Sequence, residues 1–355
     1  MTISRKLRKL FYFILDTFLN FILRPKVIYV IDDFNWSIKH DGKSICNSIG
    51  TKIKIRTTTS HIAPSGTVIH FGDIYTFFSK EGVKNVSKQS PIILTWFHIV
   101  DNDIGFKYYS KYKDRISYLH LSNHISQNIL LKRGFPKDKI FFAPIPVNTS
   151  IFKRNRSKQQ AKIDLNIPLN TVVIGSFQKD GNGWGEGLEP KLVKGPDVFC
   201  DIVEKLAKVH PIHILLSGPA RGYVINRLKE KDIPYSHFYF EDPNEVSQLY
   251  EALDLYLMTS RIEGGPKSIT ESWAMGVPYV GTKVGMVHDI GLDGRNFIEI
   301  DGSNVDKSFQ KISDYIGKED QEKAIIPKNA LQDVQLLSLQ EISKKYLQLY
   351  IELSQ

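Results

Sequence analysis

From Pro25 onward the sequence alternates short apolar runs with longer polar stretches that suit helices. The runs KVIYVIDD, TVIHFGDI, PIILTWFHI, RISYLHLS and KIFFAPIP occupy the first half, and TVVIGSF, HILLSG, HFYFED, DLYLMTS and VPYVGT the second. Each is almost continuous in apolar, largely β-branched and aromatic residues, the pattern of a strand covered on both faces. Such strands separated by helical spacers predict βα units and parallel sheets. Between the halves, NTSIFKRNRSKQQAKIDLNIP at 148–168 is polar and carries no long strand run, which predicts a boundary there. The chain is therefore read as two α/β domains, 26–155 and 165–335. Its 355 residues and 42% apolar content suit two hydrophobic cores and exclude wholesale disorder. Neither half repeats itself at a period of about 20–50 residues, so a solenoid is not expected.

Both ends carry helical periodicity. At the carboxyl end, SLQEISKKYLQLYIEL within 336–355 opens on a Ser338-x-x-Glu341 capping box and places Ile342, Tyr346, Leu349 and Leu353 on one face. It predicts a last packed helix. At the amino end, RKLRKLFYFILDTFLNFILRPK within 1–25 has basic residues ahead of an apolar run, as a signal sequence does. Asp16, Thr17 and Asn20 interrupt that run, and Leu10 to Leu23 is too short to span a bilayer. At 100° per residue, Leu7, Leu10, Phe11, Ile14, Leu15, Phe18, Phe21 and Ile22 share a broad face opposite Arg5, Lys6, Lys9, Asp16, Asn20 and Arg24. An amphipathic helix of this kind either lies in a lipid interface or packs on its own protein. The basic cluster favours peripheral attachment to an anionic membrane.

Charge narrows the partners. Lys and Arg number 47 against 38 Asp and Glu, a net charge of +9 that suits an anionic partner. The expected partner is not nucleic acid, because no RNP, KH, helix-turn-helix or zinc pattern occurs and the aromatic residues fall mostly inside strand runs. Cys46 and Cys200 stand alone, outside any CxxC or Cys/His spacing, so the expected setting is reducing and cytoplasmic.

The stretch with the most chemistry is TSRIEGGPKSITESWAMGVPYVGTKVG, Thr259 to Gly285. A strand run ends at Ser260, and Arg261 to Gly265 form a loop at its carboxyl end, where open α/β sheets bind ligands. Pro266 suits a first helical position, Ile269 and Trp273 face the sheet, and Gly276 stops the helix. Glu263 then lies in the loop and Glu271 in the second helical turn. Gly264 and Gly265 let a backbone approach a ligand, while N–H groups around Pro266, Lys267, Ser268 and Ile269 suit an anion. A loop carboxylate beside an anion site points to sugar hydroxyls as the partner of Glu263.

In this order the features resemble the donor-binding signature of retaining nucleotide-sugar glycosyltransferases of the GT-B fold, family 4, also called glycosyl transferases group 1. Their E-x7-E element is matched by Glu263 and Glu271, and Ala274 to Pro278 match the segment that follows it. GTKVGMVHDI is similar to a family V-G-G-x-x-E loop, with Met286 and Asp289 in place of a glycine and the glutamate. SNHISQNILLKRGFPKDKIFFAPIPVNTSIF resembles the close of the family's first domain, with Ile145-Pro146 where Asn-Gly is usual. HILLSGP resembles the strand and turn, here Gly218, that back the nucleoside. VVIGSFQKDGNGWGEGLEPKLVKGPDVF resembles a segment whose Arg and Lys bind the donor diphosphate: Lys194-Gly195 match, and Gln178 or Lys179 stands near the missing Arg.

The resemblance implies two Rossmann-like domains facing each other across a cleft. It implies transfer of a sugar from a nucleotide-diphosphate sugar to a glycan or lipid-linked saccharide, retaining the anomeric configuration. Glu263, Lys194 and His98, at the end of PIILTWFHI, would be catalytic, with His98 near the acceptor beside Gly42 and Trp36. Lys179, Gly218, Gly264, Gly265, Pro266, Lys267, Ser268, Ile269 and Glu271 would hold the donor, Glu271 through its ribose. No cofactor is expected beyond the donor itself. No metal is expected either: the acidic pair weighed for one is Asp32-Asp33, in the other domain, whereas Lys194 and Lys179 suit a developing diphosphate charge. The alternative is a degenerate relative that binds nucleotide sugar or glycan without turnover.

Overall fold

The computed structural model describes residues 5–31, 37–79, 82–183 and 185–355, so Asp32, Asp33 and Trp36 lie outside it. The chain divides into two compact units, one of residues 1–146 with Ser338–Gln355 and one of Val147–Leu337.

The first unit holds a parallel sheet of β1 (Val27–Val30), β2 (Ile55–Thr58), β3 (Val68–Phe71), β4 (Ile92–Thr95), β5 (Tyr118–Leu121) and β6 (Ile140–Phe142), in the order β2-β1-β3-β4-β5-β6. Strands β1, β3 and β4 are buried along their whole length, as their continuous apolar runs require. Strand β2 has no such run because it is the sheet edge, and its Ile-Arg-Thr-Thr is only partly buried.

The carboxyl-terminal helix, Leu339–Leu353, belongs to this unit and not to a segment of its own. Ile342, Tyr346, Leu349 and Tyr350 pack with Val27, Ile45, Val68 and Ile93. Ser338 caps the helix by accepting from the Glu341 N–H at 3.4 Å, but the Glu341 carboxylate accepts from Lys344 at 2.6 Å instead of returning to Ser338. A buried polar chain fastens the helix further. His70 Nδ1 lies 2.6 Å from the Tyr350 hydroxyl and His70 Nε2 2.8 Å from Thr95 Oγ1. Thr95 continues to His120 Nδ1 at 2.9 Å, whose Nε2 meets the Tyr346 hydroxyl at 2.9 Å.

The amino-terminal helix, Arg5–Leu23, has its polar stripe turned inward. Asn20 is fully buried, whereas Leu10, Phe11, Ile14, Phe18, Phe21 and Ile22 are exposed.

The second unit holds a parallel sheet of β7 (Val172–Phe177), β8 (Ile212–Ser217), β9 (Tyr235–Phe238), β10 (Leu255–Met258), β11 (Tyr279–Gly281) and β12 (Ile298–Glu299), in the order β12-β11-β10-β7-β8-β9. This is the doubly wound order of a dinucleotide-binding fold, with its reversal between β7 and β10. The polar stretch 148–168, expected as a boundary, is part of this unit because its cations answer buried or half-buried acids there. Arg156 Nε donates to Glu251 at 2.6 Å, and Lys158 and Lys162 reach Asp254 at 2.6 and 2.9 Å.

Candidate active site

The reversal of strand order places two loops side by side at the carboxyl ends of β7 and β10, the usual ligand position of such sheets. The loop after β7 runs through Lys194, and the loop after β10 through Glu263. Lys194 Nζ lies 2.6 Å from Glu263 Oε1, and Ser260 Oγ donates to the same oxygen at 2.8 Å. The two side chains retain 21% and 7% of their exposure, so the pair is largely withdrawn from water.

Gly195 explains why the loops can approach so closely. Its φ is +63°, and a Cβ there would stand 2.0 Å from the Thr259 carbonyl oxygen. Thr259 Oγ1 donates to Gly195 O at 2.7 Å, and the Arg261 N–H donates to Val193 O at 2.9 Å. Arg261 also forks onto Asp197 at 2.8 and 2.6 Å. Gly285, at φ +53°, closes the other side: a Cβ would stand 2.4 Å from Glu263 O.

Fifteen positions separate Lys179 from Lys194 in sequence, and a folded-back hairpin shortens that separation. Gly181 bridges Pro190, Asn182 N–H donates to Glu189 O at 2.9 Å, and Lys191 N–H donates to Asp180 O at 2.7 Å. The hairpin also caps a helix, Gly222–Glu230, whose Gly222 and Tyr223 N–H groups donate to Glu186 O and Gly187 O at 2.7 and 2.9 Å. Asp180 lies 3.0 Å from buried Arg221, which donates to the Ser176 and Ser217 carbonyls at the ends of β7 and β8.

Lys191, which the motif comparison passed over, joins this cluster. Burial first, and then the neighbouring charges of Lys194 and Lys179, lower its ammonium pKa, while Glu263 opposes them. The spacing that would have revealed it is three residues before Lys194 on a 3₁₀ turn, where positions i and i+3 eclipse. Gln178 donates to Lys194 O at 3.4 Å, a backbone role. Gly218, at φ +105°, presses against the Gln178 carbonyl, 2.9 Å from where a Cβ would be.

The helix after Glu263 differs from expectation in detail. It spans Lys267–Ala274, with Pro266 at the N-cap in extended conformation and not at the first helical position. Ile269 and Trp273 are fully buried against the sheet, as their spacing requires. The Ser268 hydroxyl turns inward to within 3.3 Å of the Tyr279 hydroxyl, and the Ile269 N–H donates to Pro266 O at 3.4 Å. Gly276 ends the helix at φ +61°.

Glu271 Oε2 accepts from the Tyr250 hydroxyl at 3.0 Å. Tyr250 is fully buried, stacked on Tyr256, which stacks on Tyr279 at 5.5 Å. Burial, and then the Glu271 charge, raise the Tyr250 pKa well above its ordinary value, so its proton stays available to Glu271. No sequence motif pointed to Tyr250. Met286 is fully buried, and Asp289 lies 3.4 Å from His288 Nδ1.

The acceptor-side candidates lie in the other unit. His98 is exposed, three residues past β4. Gly42 is not in a loop: it sits in the helix Ser37–Ile49, where a Cβ would meet the Tyr29 ring at 2.3 Å. A further acidic pair, Asp101-Asn102-Asp103, lies just past His98 in the same unit. Asp103 is engaged in local structure, accepting from Trp96 Nε1 at 3.2 Å and from the Gly105 N–H at 2.7 Å. Two surface clefts, of about 470 and 340 Å³, contain neither Lys194 nor Glu263. The second is lined by Val172, Leu255 and Pro278, at the amino ends of strands, away from the ligand-binding edge.

Known proteins share this architecture. The HepE protein of Anabaena, solved in complex with UDP and glucose, superposes with a TM-score of 0.74 at 13% identity, over 92% of this chain and 100% of that one. Its complex with UDP-glucose does so at 14% identity, over 92% and 99%. The fold is therefore GT-B. Residues 188–332, within the second unit, match the family Glycosyl transferases group 1. The D-inositol 3-phosphate glycosyltransferase of Corynebacterium urealyticum is 23% identical over 236 residues, which are 62% of this chain. The chain spans about half, 53%, of that relative's length.

Proposed function

We propose that the protein transfers a sugar from a nucleotide-diphosphate sugar to a glycan or lipid-linked saccharide. The observation that carries this reading is the Lys194–Glu263 pair at the strand reversal, within a cluster of three lysines. During transfer, the bond between the anomeric carbon and the donor phosphate oxygen breaks and its electron pair stays on the diphosphate. The acceptor hydroxyl oxygen bonds that carbon and passes its proton to the departing phosphate oxygen. Lys194, Lys179 and Lys191 stabilise the negative charge that develops on the leaving diphosphate. Glu263 accepts hydrogen bonds from the sugar, and Glu271, held by Tyr250, accepts from the ribose. Lys267, the first residue of the helix, adds a further cation for the same anion.

Within this reading transfer retains the anomeric configuration and needs no metal, the lysines serving where a cation would otherwise stand. His98 belongs to the acceptor side. The reaction contributes to surface polysaccharide or lipid-linked glycan synthesis, in the cytoplasm at the inner face of the cell membrane. Support for a nucleotide-sugar donor comes from HepE, whose structures hold UDP and UDP-glucose.

A thermal-unfolding panel with UDP, GDP, ADP and CMP tests the reading. A nucleotide at about 100 times its Kd adds about 2.7 kcal/mol of stability, and one base is expected to stand out. No shift with any nucleotide overturns the proposal. Binding without product, over a set of saccharide and lipid-linked acceptors, assigns the protein to the degenerate class instead.

A further inference from the structure

We infer that the outward face of the amino-terminal helix is a docking surface for an anionic lipid bilayer, and that a polar latch holds the helix in the orientation this requires. The inference rests on the proposed peripheral location, not on the transfer chemistry. Ordinarily an amphipathic helix packs its apolar face on the protein and leaves its polar face in water. Here the arrangement is reversed. Leu10, Phe11, Ile14, Phe18, Phe21 and Ile22 are each at least half exposed, while Asn20 is completely buried.

The latch is built from side chains on the inward stripe. Arg56, on the edge strand β2, donates to Asp16 Oδ1 at 2.5 Å and to Asn20 Oδ1 at 2.6 Å. Thr59 donates to Asp16 Oδ2 through its N–H at 2.6 Å and its hydroxyl at 2.8 Å. Asn20 donates to Ile62 O at 2.9 Å, and Thr17 meets Ser60 Oγ at 2.7 Å. Burial alone would raise the Asp16 carboxyl, yet the Thr59 and Arg56 bonds hold it below its ordinary value. These charge-assisted contacts favour one rotational setting of the helix over the alternatives.

Charge selects the occupant. Asp16 is the one acid in the helix sequence, and the latch pairs it on the side away from the apolar face. Lys6 and Arg8 are exposed at the amino end, and Arg24 and Lys26 just past the carboxyl end. Exposed aromatic and aliphatic residues flanked by cations match the acyl and phosphate layers of an anionic bilayer. A second copy fits less well, because both ends of the face are basic and either antiparallel or parallel pairing brings like charges together. No helix among the described residues is long and apolar enough to cross a membrane, so the contact would be interfacial.

Flotation of the full chain with phosphatidylethanolamine–phosphatidylglycerol vesicles tests this, with phosphatidylcholine vesicles as the neutral comparison. The protein is expected to float with the anionic vesicles at low salt and to be released as salt rises. Combined Phe11→Asp and Phe18→Asp should lower the bound fraction at least about tenfold. Lys6→Gln with Arg8→Gln should weaken binding to anionic vesicles only. Circular dichroism and light scattering on each variant separate loss of the surface from loss of the fold. Wild-type protein that stays unbound, or a double aspartate variant that floats equally well, overturns the inference. So does a wild-type dimer that the aspartates dissociate, in which case a second copy covers the face. Flotation with no nucleotide binding leaves this surface standing and removes the transferase reading.

Discussion

Lys194 and Glu263, 69 positions apart, form an ion pair at 2.6 Å between loops leaving neighbouring strands. Under the proposed mechanism each side chain exchanges its partner when donor binds, Lys194 toward the diphosphate and Glu263 toward the sugar. Lys194→Ala should therefore lower turnover by about 10²–10³, the loss of one oriented charge in a closed site. Glu263→Ala should abolish turnover yet leave UDP affinity intact or raised, because it releases Lys194. Calorimetry showing equal loss of nucleotide affinity in both variants would contradict this division.

Tyr250 acts through Glu271, so it is a positioning residue. Glu271→Ala should weaken nucleotide diphosphate binding, and Tyr250→Phe, which acts through Glu271, should weaken it by about three- to tenfold, the scale of one ordinary hydrogen bond. Tyr250→Phe added to Glu271→Ala should cost nothing further. Additive losses in that cycle would show that Tyr250 serves only the core.

Gly195 is replaceable by no other residue without strain. Gly195→Ala combines a positive φ with a Cβ inside the Thr259 carbonyl, and should destabilise the second unit by about 2 kcal/mol or more. A melting temperature lowered by less than about 2 °C would show that the two loops separate easily.

The buried histidines make the first unit sensitive to acid. Burial lowers His70 well below its ordinary value, also through the nearby His120, and lowers His120 from 6.5 to about 4. Both folded-state values lie below the unfolded one, so the unfolded chain binds more protons between them. Stability is then full above about pH 6.5 and falls as pH drops toward 4, by up to about 1.4 kcal/mol per pH unit for each histidine. Urea unfolding followed from pH 7 to pH 5 should show this slope, and His120→Gln should reduce it. An unchanged slope would place the proton uptake elsewhere.

Transfer should persist in EDTA, and NMR should show the donor's anomeric configuration in the product. If activity disappears in EDTA and returns with Mn²⁺, the lysine-based mechanism fails. Loss of that Mn²⁺ rescue in Asp101→Asn would then locate the metal at the Asp-x-Asp beyond β4. An inverted product would overturn retention.

Much of the second unit was legible because its signals are local. A strand buried on both faces must be apolar throughout, so VVIGSF, HILLS and LYLM mark β7, β8 and β10 without reference to anything distant. The order of strand, loop, Pro, helix and Gly likewise sets Glu263 in a loop and Glu271 on a helix, since turn and cap chemistry act within a few residues. Edge strand β2 lacked that signal because one side of it faces no neighbouring strand.

Sequence alone thus determined two sets of buried parallel strands, the E-x7-E element at the end of one of them, and an amphipathic helix at the amino end. Tertiary structure alone decided that Lys191 joins Lys179 and Lys194, because a hairpin closed by Asp180 and Lys191 shortens the intervening distance. It also decided that Tyr250 supports Glu271, a contact between separate helices. Periodicity divides the first helix into two faces but does not say which one the protein keeps. That choice depends on Arg56 and Thr59, about 40 residues away, which supply Asp16 with the charge and hydrogen bonds that make burying its polar stripe favourable.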